Sequence, residues 1–317
     1  MNVLVTGAAG FIGSHTVERL LAVGHRVTGL DNFDPYYDPA IKRRNIKAAT
    51  ANKNYSFVEG DFTSEGLLDQ LLSEERFDRV IHLAAQAGVR PSLTDPLKYA
   101  RVNVSGVVTL LEALRRHGPK QLVAASSSSV YGNTTPVPFR EDAPCVQPQS
   151  PYGASKRAGE VYCGMYAQLY GLKVVVVRPF TVYGPRQRPD MAIAAFARKL
   201  LLDETITLFG DGSSARDYTY VDDLVSGLLG ALACPVDFGI YNLGGEHPIS
   251  LSGLVEVLER ATGKQAHIER APMQAGDVER TYADVSRARK DLGYNPSVSL
   301  DEGLRRTVAW VREELDA

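Results

Sequence analysis

Apolar and polar positions fall along this chain in two kinds of block. Residues 2–5 form a short, almost wholly apolar run, the pattern of a parallel strand buried on both faces. Residues 25–30, 55–60, 79–84 and 121–126 repeat that signature. Between them the apolar residues take helical spacing: Val17, Leu20 and Leu21 ahead of Gly24, then Leu67 to Leu72, then a longer stretch over 96–116. Strands alternating with helices predict an α/β fold, a Rossmann-like doubly wound parallel sheet. After about residue 180 the texture changes, with helices at 192–202 and 251–262 around a short strand at 207–209. The expected division is a larger domain over 1–179 and a smaller lobe over 180–317, with 216–243 returning to the larger one. No internal repeat or flexible linker separates them.

The turn after the first strand carries chemistry. It reads Thr6-Gly7-Ala8-Ala9-Gly10-Phe11-Ile12-Gly13. Gly7 permits a sharp turn, Gly10 lets the backbone approach a pyrophosphate, and Gly13 allows close helix–strand packing. The helix that follows presents free N–H groups and a positive dipole end to phosphates. Two residues, rather than one, separate the first and second glycines. Asp31 follows the second strand, where an acidic side chain accepts hydrogen bonds from a ribose. A 2′-phosphate would meet a like charge there, and Asp31-Asn32-Phe33 holds no arginine to offset it, which favours NAD over NADP. Asp61 and Phe62, then Ala84, Ala85 and Gln86, follow later strands and belong to the same crevice. His82 lies in an apolar run and reads as a core histidine.

A second centre follows the strand at 121–126. Ser126 to Ser129 would place hydroxyls in the crevice. Ser150 and Pro151 then suit a helix cap and first turn, and the helix runs to Gly171. It carries Tyr152 and Lys156 one turn apart on one face. A phenol has a reference pKa of about 10, so ionising it near neutrality needs roughly 3 units, or about 4 kcal/mol. Lys156 and a positive nicotinamide ring would both favour the phenolate. A serine hydroxyl aligned with the phenol would complete a proton-transfer site. A cofactor cradle followed by an acid/base couple points to hydride transfer at a carbon bearing a hydroxyl.

Composition narrows the classes. The 317 residues carry a net charge of −2, which argues against tracking nucleic-acid phosphates. Cys145, Cys163 and Cys234 are scattered and odd in number, so neither a disulfide framework nor a metal site is suggested. With no apolar run of membrane-spanning length and no charged leader, a cytoplasmic protein is expected.

From end to end the sequence resembles extended short-chain dehydrogenase/reductases, specifically NAD-dependent nucleotide-sugar epimerases. The matching motifs are the glycine turn, His82–Arg90 (HLAAQAGVR), SSSSVYG from Ser126, YGASK from Tyr152 and RDYTYVDD from Arg216. The resemblance implies Ser127, Tyr152 and Lys156 as the catalytic set. It implies cofactor contacts from Gly7, Gly10, Phe11, Ile12, Asp31, Asn32, Asp61, Phe62, Leu83, Ala84, Ala85 and Asn103, with Tyr152 and Lys156 also touching NAD. FTVYGPRQRPDMA from Phe180 and DPYYD from Asp34 are similar to the UDP-glucuronate 4-epimerase branch. On that likeness Thr181, Arg188 and Ser128 would hold a uronate carboxylate, while Arg90, Arg216 and Arg280 would serve the substrate, the last two at its diphosphate. A planar guanidinium suits a two-oxygen acceptor. Related dehydratases and decarboxylases place carboxylates where this chain has Ser128 and Ser129, which favours simple epimerisation. The other readings are a UDP-glucose 4-epimerase and, outside catalysis, an NAD-binding regulatory protein. The resemblance also implies a homodimer through the helices at 96–116 and 152–171.

Overall fold

The computed structural model describes residues 1–119, 121–274 and 276–316. The strands are β1 (Asn2–Thr6), β2 (Arg26–Asp31), β3 (Tyr55–Glu59), β4 (Arg79–His82), β5 (Gln121–Ala125) and β6 (Lys173–Pro179). They continue with β7 (Thr181–Tyr183), β8 (Ile206–Phe209), β9 (Ala215–Tyr220), β10 (Phe238–Leu243), β11 (Pro248–Ser250) and β12 (Ile268–Ala271). Seven of them make one parallel sheet in the order β10-β6-β5-β4-β1-β2-β3. Its apolar runs, such as Val174–Val177, are buried, because helices cover both faces. The chain winds outward from β1 to β3, then crosses back to β4 on the other side of β1. That reversal opens a crevice at the carboxyl ends of β1 and β4.

Between residues 215 and 243 the chain divides. β9 pairs with β7 and β11 in a small sheet, whereas β10 joins the edge of the large one. The helix between them, Val221–Ala233, packs on the large sheet through buried Leu224, Val225 and Leu228. Helices Ala192–Leu201, Leu251–Thr262 and Leu300–Asp316 pack on one another beyond the small sheet.

The long helix expected over 96–116 runs without interruption from Pro96 to His117, but with a π turn inside it. Pro96–Ala100 is followed by one π turn, Arg101–Ser105, and only then by Gly106–His117. The cause is long-range. Asn103, 2% exposed, accepts from the Gln86 backbone N–H at 2.8 Å. It donates to the Gln86 carbonyl at 2.9 Å and to Ser155 Oγ at 3.0 Å. Locking one side chain to two other elements shifts the helical register by one residue, the usual signature of a π turn.

His82 ends β4 inside the core. Its Nδ1 lies 2.7 Å from Thr6 Oγ1, and its Nε2 has no partner among the described residues. Burial pushes its pKa down to about 3, with the Lys156 charge adding in the same sense. The folded chain therefore keeps this imidazole neutral, while the unfolded chain protonates it below about 6.5. Between those values the unfolded state binds more protons, so stability falls as pH falls from 6.5 toward 3. At pH 5 this one residue should remove about 2 kcal/mol. Urea unfolding at pH 7 and pH 5 checks it: His82→Gln should lose about that much less than the wild type, and equal losses would contradict it.

Candidate active site

The carboxyl ends of the central strands open into one cavity of about 480 Å³. The glycine turn forms its floor at one end. A Cβ on Gly13 would sit 1.9 Å from the Gly7 carbonyl oxygen, so that residue is reserved for helix–turn packing. A Cβ on Gly10 would meet only the Gly7 oxygen, at 3.3 Å. The remaining space above Gly10 belongs to the cavity, which Gly7, Gly10, Phe11 and Ile12 all line. No side chain caps the helix Phe11–Ala22 and its first turn holds no acid, so its N-terminal dipole is uncompensated. A diphosphate fits this cradle chemically.

Asp31 lines the next stretch. Its carboxylate accepts from Ala9 N at 3.1 Å and Phe33 N at 2.9 Å, which fixes both oxygens and leaves lone pairs for a ribose. Burial pushes its pKa up, against the pull of those two N–H groups and of Lys42. Asn32 donates to Asp61 at 3.2 Å, joining the ends of β2 and β3. Phe62, Leu83, Ala84 and Ala85 continue the wall. Asn103 stands apart from the other cofactor residues read from the sequence. It lies behind this wall, clamping Gln86 rather than facing the main cavity.

Across the cavity, Ser150 Oγ accepts from Gly153 N at 3.1 Å and Pro151 occupies the first turn of the helix Pro151–Tyr170. Tyr152 and Lys156 both line the cavity with Ser127. Burial pushes Lys156 down to about 8, against the pull of Cys163 and Glu160. In the protein alone, burial sets the direction at Tyr152. Burial pushes the phenol up, and the Ser127 hydroxyl and Arg188 guanidinium oppose that only in part. Beneath the pair, Glu160 takes Arg178 on both oxygens at 2.8 Å and accepts from Ser126 Oγ. Both charged side chains are 1% exposed.

Thr181, Ser128, Arg188 and Arg216 also line the cavity. The loop 184–191 that holds Arg188 is tied to the cofactor helix: His15 Nε2 donates to the Pro185 carbonyl at 2.9 Å, and Arg186 pairs with Glu18 at 2.8 Å. Gln187, 2% exposed, donates to Val182 O at 2.8 Å and accepts from Ala194 N at 3.0 Å. Arg186 itself takes left-handed backbone, φ 65°. Two of the arginines read from sequence fall outside the lining. Arg90 pairs with Asp277 at 3.2 Å and covers Phe209, and Arg280 is exposed, joined to Ala215 by backbone pairing. Three residues absent from the predicted set belong here. Tyr36 and Lys42 line the cavity, and Asp190 holds Arg188 from behind with two bonds of 2.8–2.9 Å. Tyr36 stood in the quoted DPYYD motif and Asp190 beside Arg188, but nothing local says that they meet.

Comparison with known proteins matches this geometry. A UDP-glucuronate 4-epimerase of Thermodesulfobacterium geofontis is 43% identical over 314 residues, covering 99% of this chain and 97% of the relative. The crystal structure of a Bacillus cereus UDP-glucuronic acid 4-epimerase, in complex with UDP-glucuronic acid and NAD, superposes with a TM-score of 0.93 at 36% identity. That match covers 99% of this chain and all of the other. A UDP-glucose 4-epimerase from Thermotoga maritima, solved with UDP-glucose, superposes at 0.91 and 36% identity over 99% and 100% of the two chains. The model of the NAD dependent epimerase/dehydratase family matches residues 3–244, and the chain belongs to that family.

Proposed function

We propose that this protein interconverts UDP-glucuronate and UDP-galacturonate at C4, with NAD as a resident cofactor. The observation that carries the uronate reading is Arg188, a guanidinium with its side chain only 17% exposed, lining the same cavity as Thr181 and Ser128. Asp190 takes only two of the five N–H donors of Arg188, and the others suit a carboxylate, which a neutral hexose lacks. UDP-glucose epimerisation, the runner-up, leaves Arg188 without a role toward the substrate.

The glycine cradle and Asp31 would hold the dinucleotide, with Asp31 on the ribose. NAD, when bound, supplies the acceptor and donor of the C4 hydride and a positive ring beside the phenol. Tyr152 takes the proton of the 4-hydroxyl and later returns it. Ser127 aligns that proton transfer, and Lys156 supports the phenolate. Arg216 suits the diphosphate: it is largely buried, burial pushes its pKa down with Asp277 opposing only in part, and it makes no salt bridge among the described residues. The 4-keto sugar turns about its diphosphate link and presents its other face. Residues 1–179 then serve mainly the cofactor and 180–317 mainly the sugar nucleotide.

Homodimer formation belongs to the same reading. Leu97 (81% exposed), Val161, Leu169 and Tyr170 lie uncovered on the two helices expected to pair. Light scattering should give twice the chain mass, and a single-chain mass at all concentrations would contradict it. A cytoplasmic location fits too, as Cys145, Cys163 and Cys234 are all buried free thiols. Among the described residues no helix is long and apolar enough to cross a membrane.

Two variants separate chemistry from recognition. Tyr152→Phe keeps the ring and should cut turnover by about two to four powers of ten with substrate affinity largely kept. Arg188→Ala should lose most activity on UDP-glucuronate, a cost of about 3–5 kcal/mol for stranding a buried carboxylate, and should release some decarboxylated pentose. The latter follows because oxidation at C4 makes a β-keto acid, and the arginine restrains its carboxylate. Near-normal turnover by folded Tyr152→Phe would remove the base. Equal loss on UDP-glucose and UDP-glucuronate in Arg188→Ala would remove the selector.

A further inference from the structure

Arg188 is already engaged. Asp190 occupies its side-on edge, with Nε to Oδ1 at 2.9 Å and Nη2 to Oδ2 at 2.8 Å. Tyr36 donates its hydroxyl to the same Asp190 Oδ2 at 3.0 Å, and its ring lies 5.1 Å from the guanidinium carbon. A guanidinium carries five N–H donors, and this pairing uses two of them. Nη1 has no partner among the hydrogen bonds of the described residues, and the second Nη2 proton meets only the Met191 sulfur, at 3.7 Å. Arg188 lines the cavity and Asp190 does not. The end-on edge of the fork is therefore the one left for a ligand.

We infer that Asp190 is a resident carboxylate that shares Arg188 with the sugar carboxylate, so that the uronate is selected yet released when the keto sugar turns. The inference rests on the uronate reading above. Its physical basis is a conflict within that reaction. A fully charged buried arginine would grip the carboxylate in one sugar orientation and resist letting go. The ring has to present its opposite face, so the carboxylate must leave Arg188 and return. Asp190 eases this in two ways. Its like charge weakens the hold on the second carboxylate, and its bonds keep Arg188 paired and oriented while the sugar moves. Tyr36 tunes the balance by drawing on Asp190 charge through its hydroxyl.

This assigns opposite effects to two small substitutions. Asp190→Asn keeps an acceptor for Arg188 but removes the competing charge. The KM for UDP-glucuronate should fall about three- to tenfold, and kcat should fall by at least as much. Tyr36→Phe keeps the ring under Arg188 but leaves all of the Asp190 charge on the arginine, so the KM should rise by roughly twofold to fivefold. UDP-glucose, measured as a competitive inhibitor of both variants, should bind within about twofold of wild type, because it has no carboxylate to compete. During turnover by Asp190→Asn the steady-state fraction of reduced NAD should rise, since the keto sugar waits longer to turn. A merely structural Asp190 would not produce that rise. The inference is overturned if Asp190→Asn raises the KM for UDP-glucuronate, leaves KM and kcat unchanged, or weakens UDP-glucose equally. It is also overturned if both variants shift KM in the same direction. Wild-type protein that fails to epimerise UDP-glucuronate overturns the uronate reading and this inference together, whereas an active wild type with either unexpected variant result overturns the inference alone.

Discussion

The buried pair Glu160–Arg178 is the interaction on which the rest of the site depends. Glu160 lies on the catalytic helix one turn beyond Lys156, and Arg178 lies on β6, the strand that leads to Thr181. Burial works against the Glu160 carboxylate, but Arg178 and Ser126 outweigh it and hold its pKa below the usual range. The same guanidinium donates to the Tyr131 hydroxyl at 2.9 Å, which in turn donates to Asn242 on β10 at 2.6 Å. One network thus ties together the strand end carrying Ser127, the helix carrying Tyr152, β6 and the edge strand β10. Such a pair need not add net stability, since a well-packed apolar replacement often matches it. What it provides is position: removing either partner would strand a charge under the reacting groups.

On the other side of the cavity, position is set from the cofactor end. His15 and Glu18 lie on the dinucleotide helix and hold Pro185 and Arg186, two residues before Arg188. Tyr36 reaches Asp190 from the loop that follows Asp31. Cofactor and substrate elements are therefore one mechanical unit, although the residues that join them are more than a hundred positions apart in sequence.

Much of this was legible because it is local. The glycine turn, Asp31 at a strand end, and Ser150-Pro151 ahead of Tyr152 and Lys156 each signal through spacing over a few residues. The parts that escaped depend on contacts between distant segments. Nothing within 96–116 announces a π turn, since its cause is Asn103 gripping Gln86 and Ser155. The rise in the Tyr152 pKa reflects burial by walls far along the chain, which Ser127 and Arg188 oppose only in part. Arg90 is not itself among the lining residues but pairs with Asp277, which is, a contact 187 positions apart that no local pattern announces.

The central claim is that the C4 centre is inverted by removing and restoring its own hydride. The most direct test is incubation of the NAD-loaded protein with UDP-glucuronate in deuterated water, followed by magnetic resonance of the sugar ring. The account predicts UDP-galacturonate with hydrogen, not deuterium, at C4, because hydride passed to and from NAD does not exchange with solvent. It also predicts hydrogen at C5, since Ser128 and Ser129 stand where an eliminating enzyme would carry an acid or base. Deuterium at C4, or an unchanged substrate, would contradict it.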